Sequence, residues 1–309
     1  MPSKPITRPH APITVWLAAL RLRTLPLACS SVFLGSGLAA DAGAFDGGVF
    51  ALTLLTALLL QLLSNLANDY GDAVSGADNA ERVGPTRAVA SGLITRMQML
   101  VAMALTALAA VTSGLALLWS SFATDWPALL TFIGFGALAL LAAITYTVGR
   151  RPYGYRGLGD LSVFLFFGLL GVMGSYYLFS HQLSWSLLLP AASCGLLATA
   201  VLNINNIRDR VSDAASGKFT LAVRLGASRA RNYHWLLVGG AGVLIVLFIL
   251  LHSASPWPWL FLPGYLPLLR AAWVVQVSED PQLLNQQLKL TALGSLLCNL
   301  SLALGFALS

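Results

Sequence analysis

The chain has 309 residues, of which 57% are hydrophobic and only 10% are charged, and its mean hydropathy is +0.76. A soluble domain carries about 25% charged residues, so this composition argues against a water-soluble fold. The net charge of +6 is spread over separate connections, which does not favour a nucleic-acid-binding protein. The three cysteines lie in apolar runs, and we expect neither a disulfide framework nor a cysteine metal cluster.

Nine apolar runs are long enough to cross a bilayer, which takes about 20 residues. They lie at about 24–40, 48–68, 97–119, 127–148, 161–180, 186–206, 233–252, 257–277 and 289–308. The sequence therefore predicts an all-α fold, a polytopic membrane bundle of nine transmembrane helices that forms one domain over residues 1–309.

The basic residues predict how the chain is oriented in the membrane. All 18 Lys and Arg residues lie before the first run or near the connections that follow even-numbered runs. Because basic residues concentrate on the cytoplasmic side, the N-terminus is predicted in the cytoplasm and the C-terminus outside. Residues 1–13 would then form a cytosolic tail, and segments at about 70–95, 149–160 and 207–231 would form cytoplasmic loops.

Two similar segments follow the second and sixth runs. Asn68–Gly76 reads NDYGDAVSG, and Asn205–Asp213 reads NNIRDRVSD. Their correspondence predicts a duplication in which four spans match the next four and the ninth is appended. Four crossings in each half make the repeats parallel, so both segments are expected on the same side of the membrane.

If both runs continue as helices, the amide and carboxylate side chains of each segment share one helical face. These side chains are Asn65, Asn68, Asp69 and Asp72 in the first segment, and Asn205, Asp209 and Asp213 in the second. Oxygen ligands of this kind suit Mg²⁺ that also binds a phosphate ligand, whereas zinc or iron would call for His or Cys. The alternative is two solvated helix ends, in which a nearby Arg satisfies each Asp. The recurrence of acidic faces in a carboxylate-poor chain favours a site.

Neighbouring segments supply cations and aromatic side chains. Arg82 and Arg87 flank a Gly-Pro turn, and Lys218 follows the second segment, so all three could bind a diphosphate. The alternative for each is a contact with a lipid headgroup. A third segment, Tyr146–Asp160, reads YTVGRRPYGYRGLGD and could contact an aromatic substrate. The alternative for its Tyr153 and Tyr155 is an interfacial aromatic belt.

These residues resemble the UbiA-type intramembrane prenyltransferase superfamily, whose members have nine helices and two Asp-rich motifs. The pattern N-D-Y-x-D-x-x-x-G of Asn68–Gly76 is similar to the menaquinone branch, the 1,4-dihydroxy-2-naphthoate polyprenyltransferases, and Asp209 and Asp213 match the second motif, D-x-x-x-D. Other segments that resemble this branch are Arg21–Ala28, Leu60–Gly76, Arg82–Arg87, Ala143–Asp160, Gly195–Asp209 and Leu221–Gly226.

The resemblance implies a reaction and roles for the residues of the motifs. A polyprenyl group would pass from polyprenyl diphosphate to 1,4-dihydroxy-2-naphthoate, with loss of carbon dioxide and diphosphate, giving demethylmenaquinone in the bacterial inner membrane. Mg²⁺ would be bound by Asp72, Asp209 and Asp213, assisted by Asn68 and Asn205, and Arg82 and Lys218 would stabilise the leaving diphosphate. The implied substrate-binding residues are Asn65, Asn68, Asp69, Asn205, Arg23, Arg87, Tyr146, Arg150 and Asp160, with Arg23 predicted to hold the naphthoate carboxylate.

Three other interpretations stay open at this point. A transporter would also show repeats, but we would expect its polar residues deeper in the spans. A related prenyltransferase that uses 4-hydroxybenzoate, homogentisate, haem or a chlorophyll precursor would carry the same Asp motifs. A purely structural membrane protein would tolerate the loss of Asp72 or Asp209.

Overall fold

The computed structural model describes residues 11–76 and 87–309. Within these ranges the chain forms helices and no strand. The α-helices are α1 (Ile13–Leu20), α2 (Leu25–Asp41), α3 (Gly47–Ser75), α4 (Arg96–Phe122), α5 (Trp126–Thr145), α6 (Gly159–Val163), α7 (Gly174–Ser180), α8 (Leu188–Ala215), α9 (Leu221–Leu225), α10 (Ala227–His252), α11 (Leu262–Val277) and α12 (Pro281–Ala307). A π-helix, Phe164–Met173, joins α6 to α7, and short 3₁₀ turns occupy Leu22–Thr24, Tyr153–Arg156, Trp185–Leu187 and Trp257–Phe261.

In the described part of the chain, these elements make nine helices long and apolar enough to cross a membrane. They are Ile13–Asp41, Gly47–Ser75, Arg96–Phe122, Trp126–Thr145, Gly159–Ser180, Trp185–Ala215, Leu221–His252, Trp257–Val277 and Pro281–Ala307. The predicted all-α bundle of nine spans is confirmed, and the chain is a multi-pass membrane protein.

The structure differs from the predicted boundaries where helices carry charge. α8 continues to Ala215, and α9 and α10 follow closely, so the predicted loop at about 207–231 is mostly helical. α3 likewise extends into the predicted loop at about 70–95, of which residues 77–86 lie outside the described range. The first span begins earlier than predicted, at Ile13, and bends at Arg21, whose φ is 47°. Residues 1–10 of the predicted tail lie outside the described range.

Acidic and hydroxyl side chains begin several of these helices by capping free backbone N–H groups. Asp46 accepts from the amide of Val49 at 2.8 Å before α3, and Asp125 accepts from Ala128 at 3.1 Å before α5. Thr95 and Gln98 form a reciprocal capping box at the start of α4. Asp46 and Asp125 therefore have structural roles, which leaves few carboxylates for chemistry.

The most buried span is Trp185–Ala215, and it forms the centre of the bundle. In its most apolar stretch 72% of the residues are buried, against 6% in the span Trp126–Thr145. α8 packs against α10 on one side and α12 on another, and α5 lies at the periphery against α3 and α4. The second Asp-rich segment thus extends from the most buried span of the described chain.

A close approach at Gly71 joins α3 to the segment that follows α5. The buried Thr147 donates from Oγ1 to the carbonyl of Ala67 at 3.0 Å and lies 3.1 Å from Oδ1 of Asn68. A Cβ at Gly71 would stand 2.6 Å from the Thr147 carbonyl oxygen, closer than real Cβ contacts. The missing side chain therefore allows the segment to pack directly on α3 beside Asp72.

We expect Gly71→Ala to displace this segment and to lower the thermal unfolding temperature of the purified protein by several degrees. Overpacking of this kind costs about 1–3 kcal/mol, which outweighs the gain in helix propensity of about 1 kcal/mol. The matched control is Gly134→Ala in α5, where an added Cβ meets nothing within 4 Å. Equal unfolding temperatures for the two variants would contradict the close approach.

Candidate active site

A cavity of about 400 Å³ lies among α2, α3, α4, α5, the π-helix and α8. Apolar residues line it where α4 ends and α5 begins, including Leu117, Leu118, Phe132, Phe135 and Leu178. Its charged lining residues gather at the other end, near the C-terminal ends of α3 and α8, and are Arg21, Arg23, Asp72, Arg87 and Lys218. A chamber with apolar walls and one charged end fits a ligand with a long apolar part and an ionic head.

Asp72 is held at the charged end by two residues from outside its own helix. Arg87 donates from Nη2 to Oδ2 at 3.0 Å, and Tyr155 donates its hydroxyl to Oδ1 at 2.7 Å. The Asp72 side chain is 3% exposed, and a charge so buried needs a cation and hydrogen bonds to replace water. The segment that begins at Arg87 and the turn that carries Tyr155 therefore converge on this carboxylate.

Asp209 forms a bidentate pair with its neighbour Arg208. The guanidinium donates from Nε to Oδ1 at 2.8 Å and from Nη2 to Oδ2 at 2.6 Å. Arg208 also donates to Oδ1 of Asn205 at 2.8 Å and to Oδ1 of Asn285 at 2.9 Å. Arg23 donates to that same Asn285 oxygen at 2.9 Å. Asn285 in α12 thus joins an arginine of the first span to one in α8.

Asp213 pairs with Lys218, and Lys218 connects the two Asp-rich segments. The Lys218 ammonium lies 3.6 Å from Oδ1 of Asp213 and 5.4 Å from the centroid of the Tyr155 ring. An ammonium over an aromatic face is attracted by the ring quadrupole. Because Tyr155 also donates to Asp72, a continuous chain of contacts runs from Asp72 through Tyr155 and Lys218 to Asp213.

Asp69 has a different place from the other residues of its predicted face. It is 1% exposed, and its oxygens accept the backbone N–H groups of Ala88 at 3.2 Å and Val89 at 3.0 Å. It does not line the cavity. Asp69 therefore anchors the segment that presents Arg87 to Asp72. Its predicted contact with the substrate stays a prediction.

The oxygens of the predicted metal-binding residues fit Mg²⁺ by type. Within the described ranges, no three His, Cys, Asp or Glu side chains come together as a ready metal site. Oδ1 of Asn68 lies 3.1 Å from the Thr147 hydroxyl, and Oδ1 of Asn205 accepts from Arg208. Hard oxygen donors without a closed cage suit an ion that keeps waters and shares phosphate oxygens, as Mg²⁺ does.

Tyr146 lines the cavity beside the acidic groups. Burial raises the pKa of Tyr146, and the nearby Asp160, Tyr153, Asp72 and Asp213 raise this pKa further. Its hydroxyl therefore stays protonated at neutral pH.

The predicted site residues separate into those that line the cavity and those that do not. The lining residues are Arg23, Asn65, Asn68, Asp72, Arg87, Tyr146, Asn205 and Lys218. The described site residues that do not line the cavity are Asp69, Arg150, Asp160, Asp209 and Asp213. Arg82 lies outside the described residues.

Sequence reasoning missed four residues that organise the site: Thr147, Tyr155, Arg208 and Asn285. Tyr155 and Arg208 lie within segments that the sequence analysis describes, but their contacts with Asp72 and Asp209 were not predicted. Thr147 and Asn285 carry no motif of their own. A search for polar residues beside the motif ends of other spans would have found Asn285.

The chain is similar to known proteins over most of its length. The model of the UbiA prenyltransferase family matches residues 28–293. The 1,4-dihydroxy-2-naphthoate octaprenyltransferase of Escherichia coli (strain K12) is 51% identical over 95% of both chains. The protein of that name from Haemophilus influenzae is 45% identical over 95% of this chain and 96% of its own.

A solved structure of a UbiA homologue from Archaeoglobus fulgidus, bound to DMAPP and Mg²⁺, shares the fold. Its TM-score is 0.57 at 14% sequence identity, over 91% of this chain and 98% of its own. From the family match and the two close relatives, we conclude that the chain belongs to the UbiA prenyltransferase family.

Proposed function

We propose that the protein transfers a polyprenyl group from polyprenyl diphosphate to 1,4-dihydroxy-2-naphthoate in menaquinone biosynthesis. The observation that carries this proposal is the cavity with apolar walls and a charged end, in a chain that is 51% identical to a 1,4-dihydroxy-2-naphthoate octaprenyltransferase. The apolar walls would hold the prenyl chain, and the charged end would hold its diphosphate.

The charged end supplies what a diphosphate leaving group requires. Arg87 and Lys218 line the cavity, and both would move from their carboxylate partners to the phosphate oxygens. Asp72 and Asp213, freed from those cations, would hold Mg²⁺ together with Asp209, which would also have to part from Arg208. The oxygens of Asn68 and Asn205 would assist. When bound, Mg²⁺ would neutralise the negative charge that develops as the carbon–oxygen bond breaks.

The bond changes need no strong base from the protein. The ring carbon that carries the carboxylate attacks the first carbon of the prenyl group, and diphosphate leaves with the electron pair of the broken bond. The carboxylate then departs as carbon dioxide, and the electrons of that carbon–carbon bond restore the aromatic ring. Both hydroxyls remain, so the immediate product is the reduced form of demethylmenaquinone. Because no base is needed, Tyr146 can stay protonated during the reaction and would donate a hydrogen bond.

The chain would carry out this reaction in the cytoplasmic membrane of a bacterium. The basic residues support a cytoplasmic N-terminus and a site that faces the cytoplasm. A single domain over residues 1–309 and a surrounding of membrane lipid belong to the same proposal. A transporter is less favoured, because the charged lining of the cavity is confined to one end.

The first test follows both released products in nanodiscs that contain Mg²⁺, a polyprenyl diphosphate and 1,4-dihydroxy-2-naphthoate. We expect equimolar release of diphosphate and carbon dioxide, and loss of both with EDTA. Diphosphate without carbon dioxide, with turnover only on another aromatic acceptor, would assign the protein to a related prenyltransferase. No release with any acceptor would contradict the enzyme and favour a transporter.

The second test removes the charge of one carboxylate from each motif. We expect Asp72→Asn and Asp209→Asn each to lower kcat at least about 100-fold, since each loses a metal ligand that stabilises developing charge. The matched control is Asp41→Asn. Asp41 is the last residue of α2 and does not line the cavity, so this variant should keep wild-type turnover. Thermal unfolding of each variant separates lost chemistry from lost folding, and a folded variant with retained turnover would refute the metal assignment.

The third test concerns Arg23, proposed to hold the naphthoate carboxylate. We expect Arg23→Gln to raise KM for the naphthoate about tenfold with little change in KM for the prenyl diphosphate, because one charge-assisted pair is lost. Arg23→Lys should have a smaller effect, since it keeps the charge but not the bidentate geometry.

Asn285→Ala is a useful companion variant, because it removes the oxygen that accepts from both Arg23 and Arg208 and keeps both guanidiniums. Any effect it shares with Arg23→Gln but not with the wild type reports on how these arginines are positioned. An unchanged KM for the naphthoate in a folded Arg23→Gln variant would contradict the proposed substrate contact.

A further inference from the structure

A second cavity, of about 430 Å³, lies outside the one described above. It forms between the segment that follows α5 and the segment that joins α8 to α9. Four arginines line it, Arg150, Arg151, Arg156 and Arg224, together with Pro152, Tyr155, Gly217 and Phe219. We name this cavity the arginine cleft. Among the described residues, its lining contains no Asp or Glu.

The four arginines of the cleft have no acidic partner in the described part of the chain. The ion pairs found there join other cations, among them Arg87, Arg208 and Lys218, to carboxylates. Four like charges around one concavity repel one another, and an anion bound between them would relieve that repulsion. The distribution of charge therefore points to an anionic ligand.

Backbone contacts build the cleft from two distant segments. The amide of Phe219 donates to the carbonyl of Tyr155 at 2.9 Å, and Arg224 donates to the carbonyl of Arg156 at 2.8 Å. Gly157 has a φ of 78°, and a Cβ there would lie 3.0 Å from Nε of Arg224. Orientation in the membrane needs basic residues only on one side, and it does not require them to converge in this way.

The cleft adjoins the charged end of the central cavity through one residue. Tyr155 lines the cleft, and its hydroxyl donates to Asp72 at 2.7 Å. Lys218, which lines the central cavity, lies over the ring of the same tyrosine. An anion in the cleft would therefore be a near neighbour of the group that binds in the active site, but separate from it.

We propose that the arginine cleft is a second binding site, which takes a phosphate-bearing anion. Guanidinium groups bind phosphate oxygens through paired N–H groups, and exposed arginines remain accessible to a ligand from solution or from the membrane surface. Two sources carry this chemistry: free inorganic diphosphate, and the headgroup of an anionic phospholipid. The site needs no turnover, so its test is independent of the proposed reaction.

The test compares two double variants with the same loss of charge. Arg151→Gln with Arg156→Gln alters the cleft, and Arg224 is kept because its side chain holds backbone carbonyls. The control is Arg96→Gln with Arg229→Gln, two exposed arginines that do not line the cleft. Thermal unfolding is measured for both, and the single variants Arg151→Gln and Arg156→Gln replace the double variant if it does not fold.

The first arm uses calorimetry to titrate inorganic diphosphate into protein in phosphatidylcholine nanodiscs. EDTA is present so that no diphosphate binds through a metal ion. If free diphosphate is the ligand, we expect Kd to rise about tenfold or more in the cleft variant and to stay near the wild-type value in the control. Binding should also weaken at high salt, because the cleft is exposed.

The second arm counts phosphatidylglycerol molecules retained by the protein, using native mass spectrometry after reconstitution in mixed lipid. If the headgroup is the ligand, the wild type and control retain lipid that the cleft variant loses. If neither diphosphate affinity nor lipid retention distinguishes the cleft variant from the control, the proposal is overturned and these arginines serve only to orient the chain.

Discussion

The site depends on cations that neutralise the carboxylates buried at one end of a membrane bundle. Asp72, Asp209 and Asp213 are each less than a tenth exposed. A buried carboxylate is stable only where a cation and hydrogen bonds replace the water it has lost. In the described part of the chain, three cations meet this need, each on a different carboxylate. The helices can therefore continue past their apolar turns, and they carry the Asp-rich segments to the mouth of the cavity.

The same compensation prepares the protein for the proposed diphosphate. Arg87 and Lys218 are already held at the cavity wall, so their side chains lose little further freedom when a phosphate replaces a carboxylate. The carboxylates they release need a new positive partner, and Mg²⁺ that enters with the substrate would provide it. Metal and diphosphate should then bind together, because either alone leaves some of these charges unmatched.

Composition and apolar runs were sufficient to predict nine spans. Helical spacing predicted that Asn65, Asn68 and Asp72 share one helical face, and in the structure all three line the cavity. Hydropathy could not show where α8 ends, since it does not register that Arg208 neutralises Asp209 within the helix. Spacing also placed Asp69 on the face of Asn65, Asn68 and Asp72, but helical spacing cannot show that the backbone of Ala88 and Val89 packs against its carboxylate. Tyr155 reaches Asp72 from 83 residues away, a contact no local pattern encodes.

The ninth span contributes to the charged end of the cavity, although it lies outside the two halves of the predicted duplication. Both Arg23, at the first span, and Arg208, in α8, carry guanidiniums that need an acceptor at the charged end. A carboxylate placed between them would compete with the motif carboxylates for cations and for metal. Asn285 of α12 instead supplies a neutral oxygen that accepts from both. The helix outside the predicted repeat thus fixes two cations at the site without adding charge. The carboxylates of the two motifs then remain the groups proposed to hold Mg²⁺.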